Sequence, residues 1–97
     1  MAGKGAEKAM THRPPIKREE ELDVHALPDN EVFVYDRQQR ITHHLSSEMA
    51  LVWDSCDGRN GRSDLERIVR SELNISNAKV IVREAISRLV RLKLLRR

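Results

Sequence analysis

Arg40-Ile41-Thr42-His43-His44-Leu45-Ser46-Ser47-Glu48-Met49-Ala50-Leu51-Val52-Trp53-Asp54-Ser55-Cys56-Asp57-Gly58 contains the change of period that decides the fold. As far as Leu45 the residues alternate: Ile41, His43 and Leu45 fall on one face and Arg40, Thr42 and His44 on the other, the two-residue period of a strand. Beyond it Met49, Val52, Trp53 and Cys56 recur at i, i+3, i+4 and i+7, the stripe of a helix. Ala50 and Leu51 widen that stripe, so the helix is expected to be buried over much of its circumference. Ser46 or Ser47 is placed to cap its first turn. Asp57-Gly58 is placed to stop it, with Gly58 free to take a left-handed backbone.

Working backwards, Arg40 to Leu45 is preceded by the polar stretch Asp36-Arg37-Gln38-Gln39, read as a hairpin loop. Glu31-Val32-Phe33-Val34-Tyr35 is dense in β-branched and aromatic residues and predicts a strand covered on both faces. Pro28-Asp29-Asn30 is a turn cluster, and Leu22 to Leu27 alternates as a first short strand. Working forwards, Ser63-Asp64-Leu65-Glu66 fits a capping box that starts a second helix, with Leu65, Ile68, Val69 and Leu73 on its inner side. Ser76 or Asn77 then caps a third helix running to about Leu92. Val82, Ile86 and Leu89 form its core stripe, with Ile81 and Ala85 beside them and Arg83, Arg88 and Arg91 outside. Lys93-Leu94-Leu95 is expected to fold back so that the leucines plug the core, leaving Arg96-Arg97 free. The predicted class is α+β: a three-stranded antiparallel sheet followed by three helices, winged helix-turn-helix-like. A sheet this small cannot close, so it leaves edges exposed.

A chain of 97 residues supports one domain. Residues 1–21 hold few large apolar side chains, and they carry Gly3, Gly5, Pro14, Pro15 and the charge run Lys17-Arg18-Glu19-Glu20-Glu21. They predict a flexible N-terminal tail ahead of a folding unit at 22–95. Cys56 is the only cysteine, which excludes an intrachain disulfide. The N-terminus has no apolar run of the signal-peptide kind, and no segment approaches the ~18 apolar residues of a membrane span. The expected location is cytoplasmic. Residues 1–58 carry seven Lys/Arg against eleven Asp/Glu, and residues 59–97 eleven against four. The basic C-terminal half points to an acidic partner, either nucleic acid or peptide, or simply to solvated helix faces.

Little supports catalysis. His43 and His44 are neighbours on a strand, point to opposite faces and do not chelate one metal together; His12 lies in the tail and His25 on another strand. No metal site and no cofactor are expected. Cys56 falls on the buried helical stripe, where a thiol behaves as a small inert hydrophobe. Gly58 and Gly61 do not make a phosphate loop. Phe33 and Tyr35 share a strand face and could stack bases, but core packing or cover by the third helix is the favoured reading. The chain is therefore expected not to be an enzyme.

Binding remains, in three forms. In a winged-helix nucleic-acid binder the third helix opens Asn77-Ala78-Lys79-Val80-Ile81-Val82, of which only Asn77 and Lys79 suit base edges, while Asp64 and Glu66 open the second helix and repel phosphate. In β-augmentation an extended peptide adds to an unpaired edge: the third strand offers one, beside a groove floored by Ile81 and Ala85 and rimmed by Arg83 and Lys79. A docking subunit could instead pair that edge with a second copy, so a monomer or weak homodimer is expected.

The segment Leu45 to Gly58 resembles the leucine, small-polar, alanine, valine-tryptophan and Asp-Gly segment of the PqqD family, which serves pyrroloquinoline quinone biosynthesis and whose fold is also called the RiPP recognition element. Val34-Tyr35-Asp36, Ser63 to Val69 and Val82 to Leu95 are similar as well, so the resemblance covers about residues 22–95. The family often has Asn where Ser46 stands and Gly where Lys93 stands, departures that change a cap and a helix stop. The resemblance implies a peptide chaperone without catalysis of its own. Such a protein binds the leader of a ribosomally made precursor peptide as an added strand and presents it to a modifying enzyme, a radical S-adenosylmethionine enzyme in the quinone pathway. It implies backbone contacts from Arg40, Ile41, Thr42, His43, His44 and Leu45, and side-chain contacts from Ile81, Arg83, Ala85 and Arg88. Whether the peptide belongs to the quinone pathway or to a related one stays open.

Overall fold

A computed structural model of the protein describes residues 13–96. Three strands, β1 (Leu22–Ala26), β2 (Val32–Asp36) and β3 (Ile41–Leu45), form one antiparallel sheet in the order β1-β2-β3. Three helices follow: α1 (Ser47–Asp54), α2 (Arg62–Leu73) and α3 (Ala78–Arg91). The expected α+β order, a three-stranded sheet and then three helices, is the observed one. No helix among the described residues is long and apolar enough to cross a membrane.

The register pairs Val34 with Val24 and His43, and Phe33 with His25 and His44. Paired residues share a face, so the even positions of β1 and β2 join Ile41, His43 and Leu45 on the inner side. Val34 and Leu45 there are fully buried in the core. The opposite side is open: Phe33 is 41% exposed, with His44 packed edge-on against it at 5.4 Å between ring centres. Cover on both faces of β2 was the wrong expectation, because the three helices are used up packing against one another and the inner face.

The helical core keeps most of the expected stripes, except that α1 ends at Asp54, so Cys56 packs from just beyond the helix rather than from within it. Val52, Trp53 and Cys56 meet Leu65, Val69, Val82, Ala85 and Leu89 in one buried cluster, and Ile86 lies at its margin. Ser46 caps α1, its Oγ accepting from the Met49 N–H at 3.3 Å. The capping box lies elsewhere than expected. Gly61 precedes α2, and its N–H donates to Asp64 Oδ2 at 3.0 Å; Ser63 and Glu66 are already inside the helix. Asp64 wins because its short carboxylate sits three residues into the helix, where it reaches back to the orphan donor. Asn77 precedes α3 without a side-chain cap bond.

The end of α3 explains the double leucine. Lys93 N–H donates to Val90 C=O and Leu94 N–H to Leu89 C=O, both at 3.0 Å, the pair of bonds of a Schellman motif. Leu94 and Leu89 are both fully buried, and the Trp53 indole N–H donates to Leu94 C=O at 2.8 Å. Leu95 is only half-buried, so one leucine plugs the core rather than two. The motif demands a left-handed residue, and Lys93 has φ 62°, a backbone that glycine adopts without strain. Lys93→Gly should therefore raise stability by about 0.5–1 kcal/mol, the left-handed penalty less the added chain entropy of glycine. Thermal melting checks this directly: an unchanged or lower melting temperature contradicts it.

Part of the segment expected as a tail over residues 1–21 is anchored to the domain, at residues 15–18; residues 1–12, with His12, lie outside the described residues, as does Arg97. Residues 15–18 run as a strap between the end of α1 and the C-terminal segment. Lys17 N–H donates to Cys56 C=O (2.6 Å), Arg18 N–H to Leu94 C=O (2.8 Å) and Arg96 N–H to Ile16 C=O (2.7 Å). Gly58 (φ 87°) donates to Pro15 C=O at 3.0 Å, and a Cβ there would press on the Ile16 side chain. Arg96, expected to be free, is thus held by its backbone. The strap ends in the Arg18 guanidinium, which donates to both oxygens of Asp36, at 2.8 and 3.0 Å. Asp36, read as a solvated loop residue, is fully buried at the end of β2. Paired backbone bonds and one buried ion pair hold this polar segment where apolar surface is scarce.

Candidate functional site

The direction of the backbone groups on β3 follows from three bonds. Arg37 N–H reaches Glu21 C=O, and Leu27 N–H reaches Glu31 C=O. Odd-numbered residues of β2 therefore turn their backbone groups towards β1. Even-numbered ones turn towards β3, as the bond from Arg40 N–H to Asp36 C=O confirms. Val34 and His43 thus form a hydrogen-bonded pair. Thr42 and His44 then direct their N–H and C=O away from the sheet. Among the described residues β3 pairs with β2 alone, so these four groups form a free edge with the spacing that an added strand requires.

A groove of about 220 Å³ begins where β3 ends. Ser46 and Met49 line it from α1, and Ile81, Ala85 and Arg88 line it from α3. Of the side chains picked out by sequence, Ile81, Ala85 and Arg88 are brought together here. Arg83 lies apart from them in a shallow depression on the outer surface of α3, which Arg88 and Arg91 also border. Lys79 borders neither depression. The rim is not purely basic, because Glu48 and Glu84 stand beside Arg88. Spacing could have shown this: Glu84 is i+3 from Ile81 and i−4 from Arg88, hence on the same face. Met49, on the expected core stripe, is half-buried and also lines the groove.

The six residues of the expected strand differ in what they present. Arg40 belongs to the hairpin turn, with φ 58°, and leaves the strand to begin at Ile41. A four-residue connection needs a left-handed residue before the return strand, and Arg40 occupies that place. Leu45 is fully buried and offers no side chain. Ile41 is 46% exposed on the edge. His43 turns inward, and its Nε2 is the buried side-chain nitrogen without a hydrogen-bond partner among the described residues. His44 turns outward, its Nε2 2.7 Å from Glu31 Oε1. The two histidines diverge as expected, and no group of three metal-ligating side chains occurs among the described residues.

Cys56 does not supply a nucleophile. Its thiol is buried, donates to Val52 C=O at 3.1 Å, and is pushed up to about 12 chiefly by desolvation, with Asp57 adding repulsion. Phe33 and Tyr35 stand on the outer sheet face with Thr42, His44 and His25, away from the helices. The reading of these aromatics as core or helix-covered is corrected accordingly.

No family model and no curated protein matches this chain. Among solved structures, the fold is shared with TbiB1 in complex with the TbiA(beta) leader peptide. That match has a TM-score of 0.66 and 16% sequence identity, over 82% of this chain and 94% of that one. At this identity the likeness concerns architecture alone: a three-stranded antiparallel sheet followed by three helices is common to the two chains.

Proposed function

We propose that this chain is a peptide chaperone that binds the leader region of a ribosomally made precursor peptide as a fourth strand on β3. The observation that carries the reading is the free edge at Thr42 and His44, with a groove between α1 and α3 opening where β3 ends. Backbone bonds supply affinity in this mode, and alternate side-chain pockets supply specificity. Two further points support it. The fold is shared with TbiB1, a protein held with a leader peptide. The basic face of α3, with Arg83, Arg88 and Arg91 exposed, favours a peptide carrying carboxylates. In the proposal Arg40, Ile41, Thr42, His43, His44 and Leu45 contribute through backbone and position, and Ile81, Ala85, Arg83 and Arg88 through side chains. The bound leader is presented to a modifying enzyme of the radical S-adenosylmethionine type, as the PqqD resemblance implies, and the chain itself acts in the cytoplasm without a cofactor.

Calorimetric titration with an acidic leader-like peptide tests the reading. Saturable binding is expected, and Arg88→Glu, at an exposed position on the groove rim, should weaken it about tenfold by setting a carboxylate against the acidic peptide, an effect of about 1.4 kcal/mol. Binding to random duplex DNA that falls steeply with salt, with no response to the peptide, would favour the nucleic-acid reading instead.

A further inference from the structure

The sheet has a second open edge, and the groove beside it is strongly acidic. Odd-numbered β2 residues bond to Asp23 and His25, so Leu22, Val24 and Ala26 of β1 direct their backbone groups outward. Among the described residues β1 pairs with β2 alone, and no other backbone bond reaches those three residues. Val24 is also 51% exposed. Together with Leu27 it borders a groove of about 630 Å³ that passes under β1 to Leu51 on α1 and Leu73 on α2. That is an apolar floor beside unpaired strand groups, the combination that strand addition requires.

The rim determines the occupant. Asp29, Glu31, Asp54 and Glu72 surround this groove, and Lys17 is the one cation among its lining residues. Lys17 is already engaged, its ammonium 3.0 Å from Asp54 and over the Trp53 ring. The groove is thus acidic in a protein whose formal net charge is +3, whereas the surface around α3 is basic. A second copy of the chain would bring a matching acidic rim against this one in a two-fold pairing, and an acidic leader would be repelled. We propose that the β1 edge and its groove form a second docking surface, which takes an extended, basic and apolar segment of a partner protein. Valine- or leucine-sized side chains enter between Val24 and Leu73, and lysine or arginine side chains meet Asp29 and Glu72. The two edges lie on opposite sides of the sheet, so a peptide on β3 does not block this surface. The inference stands on β1 alone and survives a failure of the β3 reading.

The test titrates a capped peptide of alternating valine and lysine into the full-length chain while backbone amide shifts are recorded. An alternating valine–glutamate peptide runs in parallel. Shifts at Leu22 to Leu27, Leu51 and Leu73 are expected with the lysine peptide only, with affinity falling about tenfold between roughly 50 and 500 mM salt as the charges are screened. Glu72→Lys combined with Asp29→Asn should weaken binding about tenfold while leaving the rest of the spectrum in place. Both sites are exposed, and Asn keeps the left-handed backbone (φ 63°) that position 29 uses. Absent shifts, shifts confined to Ile41–Leu45 and α3, or an affinity indifferent to the charge changes would each overturn the proposal. So would a concentration-dependent mass that disappears in the same double variant, which would assign the edge to a second copy.

Discussion

Arg18→Met is expected to lower stability by about 3 kcal/mol, since it leaves a buried carboxylate without its countercharge. For a domain of this size that is a fall of roughly 12–24 °C in melting temperature. Asp36 is fully buried and Arg18 nearly so. The guanidinium donates to both carboxylate oxygens and also to Lys93 C=O at 3.1 Å and Gln38 Oε1 at 3.1 Å. One side chain therefore ties the strap, the β2–β3 turn and the α3 stop together. Asp36 Oδ1 retains the N–H groups of Gln38 and Gln39 at 2.9 and 3.1 Å, which is why the loss is placed at the lower end of the range for broken buried pairs. The double variant Arg18→Met with Asp36→Asn should recover part of the loss, because a neutral amide keeps an acceptor for the turn and needs no cation. The pH dependence gives an independent sign. The bond to Arg18 is the largest cause holding the Asp36 carboxyl below its ordinary value. A depressed folded-state pKa contributes stability that is present above the unfolded carboxylate range, about pH 4, and lost as pH falls through the lower folded value. The wild type should therefore weaken below about pH 4, and Arg18→Met should lose most of that acid sensitivity. A melting temperature within a few degrees of wild type, or an unaltered acid limb, would show that the strap is not held by this pair.

Thr42→Pro is expected to weaken peptide binding by on the order of 100-fold while the domain stays folded. Its outward N–H is one of the donors offered to an added strand. Removing it forfeits one bond and leaves a peptide carbonyl unsatisfied, together about 2–4 kcal/mol. Proline is tolerated on an edge strand where its missing donor faces away from the ladder, and the bond of His43 to Val34 is untouched. Thr42→Val keeps the N–H and the β-branched shape on the exposed outer face, so its affinity should stay near wild type. A leader-like peptide N-methylated at alternate residues repeats the experiment without altering the protein: one of the two alternation phases should bind normally and the other hardly at all. Equal affinities for Thr42→Pro and Thr42→Val in folded protein would remove β3 as the binding edge.

Much of this fold was legible where local pattern and burial agree. The change from alternation to a helical stripe at Leu45, the Ser46 cap and the leucine after Lys93 all act over a few residues, whereas the stop expected at Asp57-Gly58 falls earlier: α1 ends at Asp54 with Ser55 as its C-cap, and Gly58 serves the strap instead. The strap was not legible. Its anchors are backbone groups of Ile16, Lys17 and Arg18 meeting partners some forty and eighty residues away, and composition records only that the segment is polar. The partner of Arg18 was hidden for the same reason: Asp36 beside Arg37-Gln38-Gln39 reads as a loop until a distant guanidinium is brought to it. The sequence placed Ile81, Ala85 and Arg88 on one helix, and the fold brings them to Ser46 and Met49. Helical spacing also places Glu84 beside them, so the mixed charge of the rim is legible in the sequence. The outer sheet face was misjudged because Val32-Phe33-Val34 is apolar throughout. A run like that marks a strand but does not say how many layers cover it.

The most direct measurement of the central claim is a map of backbone amide shifts as an acidic leader-like peptide is titrated into the full-length chain. Strand addition on β3 predicts the largest shifts at Thr42 and His44, with smaller ones along α3 at Ile81, Ala85 and Arg88, and Leu22 to Ala26 undisturbed. Saturating binding whose shifts avoid Ile41–Leu45 and α3 would contradict it.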